Sequence, residues 1–318
     1  MILKDLIIFA AFCLIITLVY AMLLVKQKNN SQPIYEDGPK WHQAKAGTPT
    51  KGGKIFVFPL LVVTAYMWFM TKNPSLIILF LLTLGSFMIG LIDDNGKIKG
   101  NDNQSGLSAK QKLVLQFLLA IILDIWFIKT CGSRNIINII IALILPLISM
   151  GLTNATNLTD GIDGLLGAVS IITFIPLFII SFINNNESMT YTLLALIIGL
   201  LIFLFFNKNP AQIFMGDTGS LTIGCIYTFY CVQLHLGWLT ILLASLYIIE
   251  MFSVIIQVGY FKYTKKKYGE GKRILLMAPL HHHLEKKGWS ENKIDLVFGS
   301  IQILISVIVL IIYFYIYA

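Results

Sequence analysis

The sequence has little charge and few cysteines, and each shortage excludes a class of protein. Charged side chains make up 13% of the 318 residues, whereas a soluble domain carries roughly a quarter, so a soluble globular domain is excluded. The four cysteines lie far apart or inside apolar runs without a CxxC pair, which argues against a disulfide framework or a zinc site. The net charge of +8 does not indicate a nucleic acid partner, because the basic residues lie between apolar runs.

Long apolar runs make up most of the sequence, and hydrophobic residues account for 57% of the chain. Ten segments approach the length of about 20 residues that a bilayer core requires. They predict an all-α polytopic membrane protein with ten transmembrane helices, in a single domain over residues 1–318. No small-residue cleavage site follows the first run, so we expect a retained span and not a removed signal peptide. The approximate limits are 6–25, 54–70, 75–92, 112–128, 136–151, 165–183, 190–206, 220–234, 238–261 and 295–317.

The distribution of basic residues predicts the orientation of the chain. The loops after the odd-numbered spans hold 20 of the 24 Lys and Arg residues, so the positive-inside rule places them in the cytoplasm and both termini outside. Every motif-like stretch also falls in these five loops, which can converge only on one membrane face. We therefore expect an active-site cleft on the cytoplasmic face. The loops are 26–54, 93–112, 152–164, 207–219 and 262–294.

The fourth of these loops carries a single acid, Asp217, between two glycines and just ahead of a new helix. Thr218 and Ser220 are residue types that cap helix N-termini, which attract anions. A lone carboxylate beside such a helix start suits a hard cation that carries phosphate oxygens. The alternative is an interfacial turn in which Asp217 is only a helix cap.

Asp93 and Asp94 end the third span. Unpaired acids at a membrane edge are costly and usually functional. Neighbouring helical residues point about 100° apart, which indicates different tasks, one binding metal and the other acting as a base or orienting a ligand. The alternative is a helix-ending turn at Asn95-Gly96.

The third loop has two acids and two asparagines but no basic residue, which is unusual for a loop on this side of the membrane. Asn157, Asp160 and Asp163 suit a magnesium complex, a ribose or a base edge. The first loop instead carries the stretch Lys45–Lys54, which is rich in glycine and lysine and has two hydroxyls. It resembles a phosphate cradle, although it lacks P-loop spacing, and the alternative is a basic membrane anchor.

The fifth loop contains three successive histidines, His281, His282 and His283. Consecutive helical residues cannot all face one ion, and no second cluster completes a zinc set. Donation to phosphate fits the histidines better, and the alternative is a solvated amphipathic hairpin. Two acids lie inside spans, Asp124 and Glu250. We expect Glu250 to form hydrogen bonds between helices rather than to take part in catalysis.

Five motifs, in the expected order, resemble the phospho-N-acetylmuramoyl-pentapeptide transferase family, a branch of the polyprenyl-phosphate N-acetylhexosamine-1-phosphate transferases. The resemblance runs from about Lys45 to the end of the chain, and the triple histidine after MAPL points to the muramoyl-pentapeptide branch. One departure is Lys51, where the family usually has methionine. The motifs are TPTKGG (Thr48–Gly53), IDDNGK (Ile92–Lys97), NLTDGIDGL (Asn157–Leu165), NPAQIFMGDTGSL (Asn209–Leu221) and MAPLHHHLEKKGW (Met277–Trp289).

The resemblance implies magnesium-dependent transfer of phospho-N-acetylmuramoyl-pentapeptide from its UDP carrier to undecaprenyl phosphate. The products are lipid I and UMP, in peptidoglycan synthesis at a bacterial plasma membrane. It also implies a ten-helix fold, usually dimeric. Matching positions make Asp93, Asp94, Asp217, His281, His282 and His283 catalytic, with Asp217 as the metal ligand. They make Lys45, Thr50, Asn157, Asp160, Gly161, Asp163, Asn207 and Phe214 substrate-binding.

The sequence is compatible with two other functions. One is transfer of a different N-acetylhexosamine-1-phosphate to a polyprenyl phosphate. The other is a transporter or flippase, whose ionisable residues would lie near the membrane midplane. The polar motifs of this chain fall almost entirely on one face, which argues against transport.

Overall fold

Twelve α-helices and no β-strand make up the part of the chain that this computed structural model describes, residues 3–26, 45, 47–100, 105–131 and 135–317. Apolar segments become helical because only a helix satisfies its own backbone polar groups in lipid. The helices are α1 Leu3–Val25, α2 Lys54–Thr71, α3 Ser75–Gly100, α4 Ala109–Cys131, α5 Ile136–Thr159, α6 Leu165–Ile183, α7 Glu187–Asn207, α8 Asp217–Gln233, α9 Leu239–Leu243, α10 Ser245–Tyr268, α11 Leu280–Lys286 and α12 Glu291–Tyr317.

Nine of the helices in these described ranges are long and apolar enough to cross a membrane, namely α1 to α7, α10 and α12. The all-α polytopic architecture is therefore confirmed. The expected span at 220–234 is not among these nine and corresponds to α8, which has 17 residues and is buried from Asp217 to Cys231. The number ten, the outside location of the termini and the cytoplasmic cleft stay predictions.

Several helices extend beyond the expected spans. Helix α3 continues to Gly100, so the alternative of a helix-ending turn at Asn95-Gly96 is wrong. Lys97 lies one turn after Asp93 and pairs with it at 2.7 Å, an i,i+4 contact that supports the added turn. Helix α5 likewise runs on to Thr159, and the ninth apolar run is divided at Ala244 into α9 and α10.

Helix α8 forms the centre of the bundle and packs mainly against α3 and α5. The closest approach to α3 is at Gly90, where a side-chain carbon would collide with the backbone carbonyl of Asp217. Small residues allow membrane helices to approach each other in this way. The contact brings the end of α3 beside the beginning of α8, and with it the acids of both helices.

Candidate active site

Three carboxylates meet where α3 ends and α8 begins. Asp93 and Asp94 lie in the part of α3 that runs beyond the expected span, and Asp217 is the first residue of α8. Their ligand atoms lie within 4.8 Å of one another, and the three side chains are buried. Hard divalent cations prefer such clustered carboxylate oxygens, so this cluster could hold a metal ion.

Asp94 caps α8 from the neighbouring helix. Its Oδ1 accepts the backbone N–H of Asp217 at 3.0 Å, and its Oδ2 accepts that of Thr218 at 3.1 Å. Gly216, the residue before α8, has a φ of 72° and offers no side-chain cap. Asp94 thus satisfies the first N–H groups of α8, the task that an N-cap side chain has in other helices. It thereby fixes the position of Asp217.

Asp93 and Asp217 are joined by two lysines. Lys112 Nζ lies 2.7 Å from Asp93 Oδ2 and 2.8 Å from Asp217 Oδ2. Lys97 Nζ lies 2.7 Å from Asp93 Oδ2 and 3.4 Å from Asp217 Oδ1. The other Asp93 oxygen accepts the backbone N–H of Leu107 at 2.7 Å. Pairing of this kind lowers the cost of burying charge near a membrane.

Neither lysine was selected from the sequence as a site residue. The i,i+4 spacing of Asp93 and Lys97 was an available signal. No sequence feature pointed to Lys112, which reaches the acids from a different helix.

Asn157 connects the third loop to the same acids. Its amide Nδ2 donates to Asp217 Oδ1 at 3.0 Å and lies 2.9 Å from Ser220 Oγ. Asn157, which the resemblance implies to be a substrate-binding residue, therefore contacts the carboxylate cluster directly.

A second polar network ties the first, third and fourth loops to the start of α12. Lys45 Nζ lies 2.8 Å from Asp163 Oδ1 and 2.6 Å from Glu291 Oε1. Glu291 Oε2 accepts the backbone N–H of Asp163 at 3.1 Å and the amide of Asn209 at 3.0 Å. Asp163 Oδ2 accepts the backbone N–H of Ala211 at 3.0 Å. No sequence feature singles out Glu291, because an acid at a helix start is common.

Asn207 and Phe214 brace the fourth loop. Asn207 is buried, its Oδ1 accepts the backbone N–H of Gly164, and its Nδ2 donates to the carbonyl of Ile213. The backbone of Phe214 pairs with the first loop at Pro49 and Gly52, both at 2.8 Å. The loop that carries Asp217 is thus fastened to its neighbours on both sides.

Two residues of the first loop lie close to the acids. Thr50 is buried, and its Oγ1 has no hydrogen-bond partner among the described residues. Lys51 is also buried, has a φ of 71°, and donates from Nζ to Asn95 Oδ1 at 2.7 Å. Burial and the nearby charge of Lys54 lower the pKa of Lys51. The lysine that departs from the family pattern is therefore held by α3.

The three histidines have three different partners. His281 is fully buried, and its Nδ1 lies 3.1 Å from Glu250 Oε2. His282 Nδ1 lies 2.6 Å from Glu285 Oε2. His283 Nδ1 accepts the backbone N–H of Leu276 at 3.1 Å, while burial and the charge of Lys287 lower its pKa. The side chains diverge, as expected for consecutive helical residues.

Asp160 and Gly161 lie between the acids and the histidines. Burial, together with the negative charges of Asp217, Asp94 and Asp163, raises the pKa of Asp160 to about 8. A side-chain carbon on Gly161 would overlap the ring of His281. Gly161 is thus required for the third and fifth loops to meet, and all five motif-bearing loops contribute to one connected region.

Comparisons with known proteins give a consistent family. The Glycosyl transferase family 4 model matches residues 76–235. The phospho-N-acetylmuramoyl-pentapeptide-transferase of Wolbachia sp. subsp. Drosophila simulans (strain wRi) is 39% identical over 301 residues, which cover 91% of each chain. The protein of the same name from Lactococcus lactis subsp. cremoris (strain MG1363) is 38% identical over 328 residues, covering 96% of this chain and 97% of the relative.

Proposed function

The chain belongs to the phospho-N-acetylmuramoyl-pentapeptide transferase family, and we propose how its site performs the reaction. It transfers phospho-N-acetylmuramoyl-pentapeptide from the UDP-linked donor to undecaprenyl phosphate, giving lipid I and UMP in peptidoglycan synthesis. The observation that carries the proposal is the buried cluster of Asp93, Asp94 and Asp217 with its two lysines, at the point where the loops meet.

Magnesium fits the donor set of this cluster, which offers several carboxylate oxygens within reach of one another. We assign Asp217 as its principal ligand, with Asp93 beside it. The oxygens of Asp217 contact side chains of Lys97, Lys112 and Asn157, which can turn away, whereas those of Asp94 hold the backbone of α8. Bound there, the metal would neutralise charge on the diphosphate and on the departing UMP.

In this proposal the acids of the third loop, Asp160 and Asp163, contribute less to metal binding than Asp217 and Asp93 do. The oxygens of Asp163 accept hydrogen bonds from Lys45 and Ala211. Burial and the charges of Asp217, Asp94 and Asp163 raise the pKa of Asp160, whereas the pKa of Asp217 is lowered by its two lysines, so Asp217 is the better cation ligand. The two acids of the third loop are better suited to the nucleoside part of the donor, together with Lys45, Gly161 and Phe214.

In the reaction, an oxygen of the lipid phosphate forms a bond to the β-phosphorus of the donor. The bond from this phosphorus to the bridging oxygen breaks, and UMP leaves with that oxygen. Lys97 and Lys112 can turn from the acids toward the phosphoryl oxygens and stabilise their charge. His281 to His283, with Thr50 and Asn207, lie around the diphosphate and sugar in this proposal.

A strong general base is not required. The second pKa of a phosphate monoester is near 6, so much of the lipid phosphate is already ionised at neutral pH. Asp93 is the better candidate for accepting any remaining proton, because Asp94 is committed to α8. Both acids then act chiefly by organising the site.

The membrane arrangement follows from the same proposal. The site lies on the cytoplasmic face of a bacterial plasma membrane, where the soluble nucleotide arrives. With α8 added to the nine long apolar helices, the chain crosses the membrane ten times and both termini lie outside. The chain functions as a homodimer. The charge distribution over the loops supports this orientation.

The proposal is tested by UMP release from purified protein with UDP-N-acetylmuramoyl-pentapeptide, polyprenyl phosphate and magnesium. Other UDP-N-acetylhexosamines are offered in parallel, and a preference for one of them would overturn the assigned substrate. Asp217→Asn should abolish transfer while the protein stays folded. The matched control is Asp124→Asn, since this acid lies on α4 twelve residues beyond Lys112, about 18 Å along the helix, and should leave transfer intact. Equal activity of the two variants would remove the metal role of Asp217.

A further inference from the structure

Glu250 is a carboxylic acid with no access to solvent, inside the membrane-spanning helix α10. Burying a carboxylate requires compensation by hydrogen bonds or charge. In the described part of the chain, no lysine or arginine forms an ion pair with it. Both carboxylate oxygens instead contact a single residue of the fifth loop. Oε1 accepts the backbone N–H of His281 at 3.2 Å, and Oε2 lies 3.1 Å from its Nδ1.

This pairing has a consequence for the proton on His281. An ionised carboxylate has only acceptors, so the ring nitrogen that faces it must carry hydrogen. Nδ1 is then the protonated nitrogen that faces Glu250, and the opposite nitrogen, Nε2, faces away from it. The partner of one ring nitrogen thus sets the state of the other.

The other nitrogen faces the third loop. His281 Nε2 is buried and has no hydrogen-bond partner among the described residues. It lies against Gly161, where a side-chain carbon would overlap it. A buried, unpartnered nitrogen is uncommon in proteins. Its position beside the loop that carries Asn157 and Asp160 indicates that a group of the bound donor becomes its partner.

The two following histidines are held differently. His282 is paired with Glu285 three residues along the same short helix, and His283 with the backbone of Leu276, seven residues before it. Both contacts are local and move with the fifth loop. The contact of His281 with Glu250 reaches a membrane-spanning helix, so Glu250 fixes the ring relative to the rest of the site.

We propose that Glu250 is a positioning residue for the transfer reaction. It holds the ring of His281 with Nδ1 protonated and Nε2 directed at the third loop, where the donor binds. This inference rests on the proposed function, and it adds a residue that acts through His281 and does not itself touch substrate.

The test combines Glu250→Gln with nitrogen-15 NMR of histidine-labelled protein in nanodiscs. A glutamine keeps the size of the side chain. Its carbonyl remains on the backbone N–H of His281, so its NH₂ group faces Nδ1 and moves the ring proton to Nε2. We expect a protonated Nδ1 in the wild type, an Nε2–H tautomer in the variant, and a kcat about 10- to 100-fold lower, as when the residue orienting a functional histidine is lost. KM for the UDP-linked donor should change less than about threefold.

The matched control is Ser253→Ala. Ser253 Oγ donates to the backbone carbonyl of Glu250 at 2.6 Å and not to its carboxylate, so this variant should keep the wild-type kcat and histidine spectrum. An unprotonated Nδ1 in the wild type would overturn the proposal, and that measurement needs no folded variant. A proton shift in Glu250→Gln with unchanged kcat would overturn it as well. If wild type and Ser253→Ala both release no UMP, the proposed function fails instead.

Discussion

The spacing of α3 and α8 at Gly90 should control the rate of transfer, and Gly90→Ala tests this. The added carbon would lie 2.2 Å from the carbonyl oxygen of Asp217, whereas ordinary contact begins at 3.4 Å. The obstacle is backbone and cannot rotate away. The difference of these distances requires the two helices to separate by about 1.2 Å.

This separation is large on the scale of the site. The hydrogen bond from the Asp217 N–H to Asp94 measures 3.0 Å, and lengthening it by that amount takes it to roughly 4 Å, beyond hydrogen-bonding range. Asp217 moves away from Asp93 at the same time. A misplacement of about 1 Å can cost on the order of 100-fold in rate, and overpacking typically costs about 1–3 kcal/mol of stability. We therefore expect kcat/KM to fall roughly 100-fold, with a lower melting temperature.

The assay is UMP release, with thermal unfolding followed by tryptophan fluorescence in the same detergent. Two glycine-to-alanine variants serve as controls. At Gly85, also on α3, the new carbon meets the side chain of Leu119, which can rotate. At Gly151 on α5, nothing lies within 4 Å, so alanine should be neutral or stabilise the helix by up to about 1 kcal/mol. Wild-type transfer by Gly90→Ala would refute the claim that this helix contact sets the geometry of the acids.

Three further outcomes are expected. Asp94→Asn should lower the melting temperature as well as the rate of transfer, because an amide leaves one N–H of α8 without an acceptor, at a cost of about 1–3 kcal/mol. The melting temperature of Asp124→Asn gives the baseline. Equal melting temperatures for the two variants would argue against the capping role of Asp94. With a magnesium chelator present, the free energy of unfolding of the wild type should fall as pH rises from about 4 to 8. The pKa of Asp160 is raised from 3.8 to about 8 in the folded protein, so over this range the folded protein keeps a proton that the unfolded chain has released. Asp160→Asn should weaken this pH dependence, and an unchanged slope would contradict it. Chelation of magnesium should stop UMP release and its return should restore it, whereas transfer that persists in chelator would exclude the metal.

Much of the site could be predicted because membrane topology places motif-bearing loops together before any packing is known. The apolar runs predict membrane-spanning helices, and the basic residues in the loops between them predict that these loops lie on the same side of the membrane. Asp217 was predicted as a site residue because it is a lone acid between glycines. Asp93 and Asp94 were predicted because they are acids at a membrane edge. These inferences depend on local composition, which the sequence contains directly.

The division of tasks among those residues could not be predicted in this way. Asp94 and Asp217 are 123 residues apart, and the backbone bonds between them depend on how α3 meets α8. Lys112 reaches Asp217 over 105 residues, and Lys45 reaches Glu291 over 246. Hydropathy indicates that a helix lies in the membrane. It does not indicate which helix packs beside it or which of its faces forms that contact.

Composition and motifs were therefore enough to predict a helical membrane protein, its family and the loops that carry the site residues. The packing of the helices was needed to show that Asp94 caps α8, that two lysines bridge Asp93 and Asp217, and that Glu250 contacts His281. Apolar periodicity specifies which residues of a helix are buried, but it does not specify which helix packs against them. Partners follow from close helix packing, such as the contact that the missing side chain of Gly90 allows.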